Sequence, residues 1–182
     1  MKPIEILNFL SIEECDTILK ISENFDFKDA PTSSNINKHI RDENFDFNKR
    51  KITYIDDTLF LELSTKILNK LNELNIFNGI NYNTIGNYSF NKYSINDFLN
   101  YHYDGAEIDN GATITLVIEL SDGFEGGDVV YLLDDIEHNF TKGKGNLYIF
   151  ESTTMHKVKP ITNGIRYSMN CWPKFKIKKT TL

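Results

Sequence analysis

From Tyr82 onward the chain is cut into short runs by turn signals that arrive at near-regular intervals, which confines this part to an antiparallel β domain. The punctuation is Asp122-Gly123, Gly126-Gly127, Gly143, Gly145 and Asn163-Gly164. Between these lie strand-length runs over 113–120, 129–133, 147–150 and 165–172, the back half of an all-β barrel or sandwich. Successive strand side chains point to opposite faces. In 113–120 one face carries Ile114, Leu116, Ile118 and Leu120, the other Thr113, Thr115, Val117 and Glu119. In 165–172 the faces are Ile165, Tyr167, Met169, Cys171 and Arg166, Ser168, Asn170, Trp172. The apolar face of each is fit to pack on helices. The mixed face either meets water or lines a double-sheet barrel that holds a polar ligand.

Before Tyr82 the pattern is helical. Ser11 with Glu14 three residues on forms a capping box ahead of Cys15, Ile18 and Leu19, so a helix is expected over 12–24. Leu59, Phe60, Leu63, Ile67, Leu71 and Leu74 make one apolar stripe after the Asp56-Asp57 start, predicting a second helix. Between them, 26–51 reads as a long loop with one short strand near His39 and Asp42, and loops of this length in compact domains often serve as lids. A length of 182 residues fits one domain, with helical support over 1–80 and a β core over 81–175.

The net charge of −6 puts no broad positive field on the surface and argues against a nucleic-acid partner. The basic tail, Lys174, Lys176, Lys178 and Lys179, reads as a solvated terminus. Cys15 and Cys171 stand alone, without zinc or disulfide spacing, which fits a reducing compartment. No apolar leader and no run of membrane-spanning length is present, so the expectation is a soluble cytoplasmic protein.

Chemistry concentrates in a few positions. His102 and Asp104 are two apart, so on a strand both would leave one face and could grip one ion. His156 on a neighbouring strand would complete two imidazoles and one carboxylate, the facial set associated with non-haem Fe(II). Each residue alone has an ordinary reading as a hydrogen-bonding side chain. The ordered set of His102, Asp104, His156 and then Arg166 argues otherwise. A guanidinium fork pairs bidentately with a carboxylate, which suits the far end of a metal-bound 2-oxoglutarate. The bland reading of Arg166 is a surface ion pair or a bridge to Glu119 or Asp128. Tyr88, Phe90, Tyr101 and Tyr103 are either a substrate platform or packing aromatics. His39 and His138 have no partner at ligand spacing.

The chain resembles the prolyl-4-hydroxylase-like branch of the 2-oxoglutarate and Fe(II)-dependent oxygenases, small bacterial and phage members included. The likeness is carried by the opening Phe9-Leu10-Ser11-Ile12-Glu13-Glu14-Cys15, Arg41-Asp42, the stretch 93–104, Glu119-Leu120-Ser121-Asp122 and Phe124-Glu125-Gly126-Gly127-Asp128. Its closing part is 145–150, His156-Lys157-Val158-Lys159-Pro160, Gly164-Ile165-Arg166 and Trp172. The resemblance implies a double-stranded β-helix, or jelly roll, mainly β with amino-terminal helices packed on one sheet. It implies iron at His102, Asp104 and His156, and Arg166 on the distal carboxylate of 2-oxoglutarate. Tyr93 falls on an aromatic that contacts the co-substrate, and Val158 and Trp172 on pocket-wall positions. It further implies hydroxylation of a C–H bond with O2, release of succinate and CO2, and ascorbate as reductant. The implied substrate is a peptidyl proline or another protein side chain, with a small molecule as the further candidate; oligomeric state stays open. Where many relatives have tyrosine, this chain has Glu119, whose charge opposes the co-substrate unless it is paired or protonated. The rivals are a non-catalytic jelly-roll binding module and a cupin-like metal enzyme that does not use 2-oxoglutarate.

Overall fold

A computed structural model describes residues 1–31, 48–76, 80–105 and 114–177. The anticipated strand near His39 and Asp42, most of the anticipated lid, Arg41, Thr113, Lys178 and Lys179 lie outside the described residues. The larger sheet has the order β1 (Ile4–Ile6), β12 (Leu147–Glu151), β8 (Ile114–Glu119), β15 (Arg166–Cys171), β6 (Asn87–Tyr93), β4 (Lys51–Asp56) and β2 (Lys28–Asp29). The smaller has β11 (Ile136–Asn139), β10 (Val129–Leu133), β13 (His156–Val158), β7 (Phe98–His102) and β3 (Asn48–Lys49). Two short ladders complete the set, β14 (Ile161–Asn163) on β9 (Glu125–Gly126) and β16 (Lys174–Ile177) on β5 (Ile80–Thr84). The pairings are antiparallel. The fold is thus mainly β with supporting helices, as the sequence pattern implied. β1 and β4, from the amino-terminal part, are strands of the larger sheet, so that part does more than supply helices.

Both faces of β8 are buried, which removes the reading in which its mixed face meets water. Ile114, Leu116 and Ile118 join Met169, Cys171, Tyr88 and Phe90 in one apolar cluster with the helices α1 (Ile12–Ser22) and α2 (Leu61–Leu74). Val117 joins Tyr93, Leu99, Val129, Tyr131, Tyr148, Phe150 and Val158 in a second cluster between the sheets. Each fully buried Leu or Ile contributes about 2 kcal/mol by leaving water, so the helices stabilise the sheet they cover.

The expected capping box forms: Glu14 N–H donates to Ser11 Oγ at 3.1 Å, and Ser11 N–H to Glu14 Oε2 at 2.7 Å. The helix ends at Ser22, two residues short of expectation. The second stripe is narrower than its sequence suggests. Asp56 accepts from Thr58 N–H at 2.9 Å and starts a 3-10 turn, Asp57–Phe60, ahead of α2. Phe60, Leu63, Ile67 and Leu71 are buried, while Leu59 and Leu74 are exposed. Ile165, placed on the apolar face by alternation, precedes the strand and is also exposed.

The turn before β12 ties both layers together. Gly145 N–H donates to Glu119 O at 2.7 Å, and Gly145 O accepts from Leu10 N–H at 2.9 Å. Gly145 has φ +85°, and a Cβ there would lie 2.2 Å from Leu10 O. Gly145→Ala should therefore cost about 3 kcal/mol of unfolding free energy, combining left-handed strain with a backbone clash. Urea denaturation followed by circular dichroism measures it.

Candidate active site

β7 and β13 are neighbours, with His102 directly opposite His156. The next paired residues are Leu99 and Val158, so β7 spends three steps where β13 spends two. A bulge of this kind re-aims side chains. Leu99, His102, His156 and Val158 are all buried, and Leu99 and Val158 both join the cluster between the sheets. The imidazole centroids stand 4.1 Å apart. Asp104 does not share the strand as H-x-D spacing implied, because β7 ends at His102. Instead, Asp104 N–H donates to Ser152 O at 2.9 Å, just past β12, and the bend returns its carboxylate to the histidines. Asp104 Oδ1 is 3.4 Å from His102 Nε2, and Oδ2 is 3.7 Å from His156 Nε2. One donor atom from each residue lies within 4.8 Å of the others, and no fourth His, Cys, Asp or Glu joins them among the described residues.

The surroundings set the protonation. Each histidine bonds through Nδ1 to the carbonyl two residues earlier, His102 to Asn100 O and His156 to Thr154 O, both at 2.9 Å. A carbonyl only accepts, so Nδ1 carries the hydrogen and Nε2 presents its lone pair to the common point. Burial, aided by His102, pushes His156 down to about 4, so it is neutral at pH 7. Burial would raise the Asp104 carboxyl, but His156, His102 and the Thr115 hydroxyl outweigh it and hold it well below the usual range. Thr115 Oγ1 donates to Asp104 Oδ2 at 2.8 Å and lies 3.1 Å from Ser152 Oγ. Metal ligation takes imidazoles in their neutral form, so this donor set would bring two nitrogens and one carboxylate to a divalent cation.

Arg166 stands opposite Tyr93, whose ring centre is 5.1 Å from its Cζ. It is 1% exposed, so the surface ion pair is excluded. The bridge to Glu119 does form. Nε donates to Glu119 Oε2 at 2.9 Å, and Nη2 lies equally near that oxygen without a hydrogen-bonding angle. Nη1, Nη2 and Glu119 Oε1 are buried without hydrogen-bond partners. These unspent donors fit the far carboxylate of a dicarboxylate. Of the hydroxyls that could replace the missing tyrosine, Thr115 is committed to Asp104, and Tyr148 donates to Thr141 O at 3.0 Å. Ser168 remains, buried in register with Glu119.

Trp172 follows β15 half-buried, its Nε1 enclosed and unpartnered. Tyr88 and Phe90 belong to the helix-side core, Tyr88 Oη lying 2.8 Å from Ser64 Oγ, so neither is a platform. Tyr101 bonds Glu137 at 2.5 Å, and His138 stacks on Tyr131; neither contact joins the metal cluster. His39 lies outside the described residues. Ser152 and the two carbonyl anchors carried no sequence signal, since they act through backbone or through distant register.

Residues 88–174 match the family model described as the 2OG-Fe(II) oxygenase superfamily. Over 124 residues the chain is 27% identical to the PKHD-type hydroxylase YbiX of Escherichia coli, covering 63% of this chain and 55% of that protein. Over 105 residues it is 28% identical to a PKHD-type hydroxylase of Xylella fastidiosa strain M12, covering 50% and 46%. The chain thus spans about half the length of the curated relatives it matches. A Pseudomonas putida prolyl-4-hydroxylase shares the fold with TM-score 0.71 at 18% identity, covering 96% of this chain and 92% of that one. A Trichoplax adhaerens prolyl hydroxylase solved with a hypoxia-inducible-factor peptide fragment gives TM-score 0.72 at 19% identity, covering 94% and 83%. These likenesses identify the two-sheet fold as a jelly roll shared with these proteins. The family implies Fe(II), 2-oxoglutarate and O2, and the donor sets at the triad and at Arg166 fit the first two. Thr115→Val, close in shape but without the hydroxyl, should weaken Mn(II) or Fe(II) binding about 10–100-fold with the fold retained; anaerobic calorimetry measures this.

Proposed function

We propose, on the premise that residues 88–174 carry a 2OG-Fe(II) oxygenase domain, that this chain is a 2-oxoglutarate-dependent dioxygenase that hydroxylates a peptidyl proline or another protein side chain. The observation that carries the reading is the convergence of His102, Asp104 and His156, each held by its own second contact. Fe(II) held there supplies, with O2 and 2-oxoglutarate, the oxidising power for hydroxylation, and 2-oxoglutarate leaves as succinate and CO2.

The protein's part is positional and electrostatic. His102, Asp104 and His156 fix the ion, and the two Nδ1 anchors keep both rings in the ligating tautomer. Arg166 offers Nη1 and Nη2 to the far carboxylate, with Tyr93 packed over the guanidinium. On β8, Thr115 at the triad and Glu119 at Arg166 lie on one face, about 13 Å apart along the strand; a co-substrate held at both ends would lie along that span. Phe150, whose ring centre is 4.7 Å from that of His156, and Val158 form the apolar wall that keeps water from the ion. No side chain is asked to act as general base.

A peptide substrate is supported by the peptide bound to the Trichoplax neighbour and by polar groups continuing along the inner face. Beyond Ser168 this face presents Asn170 Oδ1 and Trp172 Nε1, both without partners, fit to meet peptide groups. No described helix is long and apolar enough to cross a membrane. With both cysteines free and buried, the cytoplasm is the compartment we propose.

Purified protein with Fe(II), ascorbate and 2-oxoglutarate should form succinate slowly, and faster with the right peptide. His102→Ala and Asp104→Ala should abolish it. Absence of succinate with every peptide would favour a non-catalytic binding module, the reading to which the Arg166–Glu119 bridge lends weight. Arg166→Ala should raise the 2-oxoglutarate requirement about 10–100-fold, the worth of a charge-assisted hydrogen bond, with metal affinity unchanged by calorimetry.

A further inference from the structure

Glu119 is 1% exposed and only half satisfied. Its Oε2 accepts from Arg166 Nε, while its Oε1 and the terminal nitrogens of Arg166 have no hydrogen-bond partner. With Glu119 ionised the pair is neutral. A far carboxylate arriving at Nη1 would put two carboxylates on one buried guanidinium, and like charges at that separation do not both stay ionised. Other groups near Glu119 do little to relieve this. Tyr93 lies over the guanidinium from β6, and Tyr148 on β12 spends its hydroxyl on Thr141 O. The Cys15 thiol on α1 is pushed up to about 11 by burial and is neutral. Lys142 adds a favourable field, but its ammonium is half-exposed and paired with Asp128 at 3.1 Å.

We propose that Glu119 takes up one proton when the far carboxylate of 2-oxoglutarate reaches Arg166, and that the resulting acid donates its hydrogen bond to that carboxylate. The inference rests on the 2-oxoglutarate reading above and adds a coupling to it. Oε2 keeps the Arg166 Nε bond while Oε1 gains the proton and turns from an orphaned acceptor into a donor. A neutral acid thereby fills the place of the tyrosine hydroxyl expected here. Burial, outweighing the Arg166 and Lys142 fields, already lifts Glu119 to about 7 before a second carboxylate enters. The sign follows: where free Glu119 is ionised, binding must draw a proton from solvent, so affinity falls about tenfold per pH unit above that range and is flat below it.

The test is calorimetry of 2-oxoglutarate into the full chain loaded with Mn(II), which holds the site without turnover, in buffers of different ionisation heat. Near pH 8 about one proton should be taken up per co-substrate bound. Glu119→Gln, neutral at every pH, should bind with no uptake and with equal affinity near pH 6 and pH 8. Binding without uptake in the wild type, or uptake that survives in Glu119→Gln, overturns the proposal and leaves the oxygenase reading standing. No binding by the wild type overturns that reading itself, and this inference with it. Should Glu119→Gln fail to fold, difference infrared spectroscopy of the wild type decides: a protonated-carboxyl band appearing with 2-oxoglutarate supports the proposal, and its absence overturns it.

Discussion

Burying charge between two sheets is the constraint to which the rest of this structure answers. Glu119 and Arg166, with two histidines, are buried, and the Asp104 side chain beside them is only 11% exposed, where an unpaired ion costs several kcal/mol. The protein resolves this with two separate clusters. In one, Asp104 is balanced by imidazoles and the Thr115 hydroxyl. In the other, Glu119 and Arg166 neutralise each other. Neither is closed. The first gathers one donor atom from each of three residues around one point, which suits a cation. The second keeps unspent N–H groups, which call for an acceptor. The two donor sets thus suit a metal and an anionic ligand.

β8 connects the clusters and shows why the helices are needed. Its inner face runs Thr115, Val117, Glu119, and its outer face Ile114, Leu116, Ile118. An inner face this polar cannot drive folding by itself, so the outer face carries the hydrophobic load against α1 and α2. The layers meet at Gly145, which accepts from Leu10 just ahead of α1 and donates to the backbone of Glu119. The start of α1 is therefore tied through Gly145 to the backbone of the residue that pairs with Arg166.

The clustering of His102, Asp104 and His156 was legible because two histidines and an aspartate are identified by residue type, and their order survives whatever the local backbone does. The alternation along β8 was legible for a similar reason, since period two is enforced by the pleat. What escaped were matters of register and bend. Asp104 reaches the histidines from beyond its strand through a backbone bond to Ser152, and the β7 bulge is a property of a pair of strands. The start of α2 was misjudged because Asp56 capped a 3-10 turn, which rotated Leu59 into solvent. Glu119 stands out from the sequence as a departure from the family pattern, and a bridge to it is one of the readings open for Arg166; that its Oε1 goes unpartnered is a matter of side-chain geometry the sequence does not carry.

The two clusters differ in what they tolerate. The triad is stereochemical: its three donor atoms lie around one point, and each residue is held by a second contact that sets its angle. The pocket is electrostatic. A hydroxyl and a carboxyl at position 119 can occupy the same strand register and face the same arginine, yet differ by one unit of charge. Exchanging one for the other alters how tightly, and at what pH, an anion is held, while the donors at the triad stay where they are. On the proposed reading, proton demand is separable from the chemistry, because the strand places Val117 between the residue that holds Asp104 and the residue that faces Arg166.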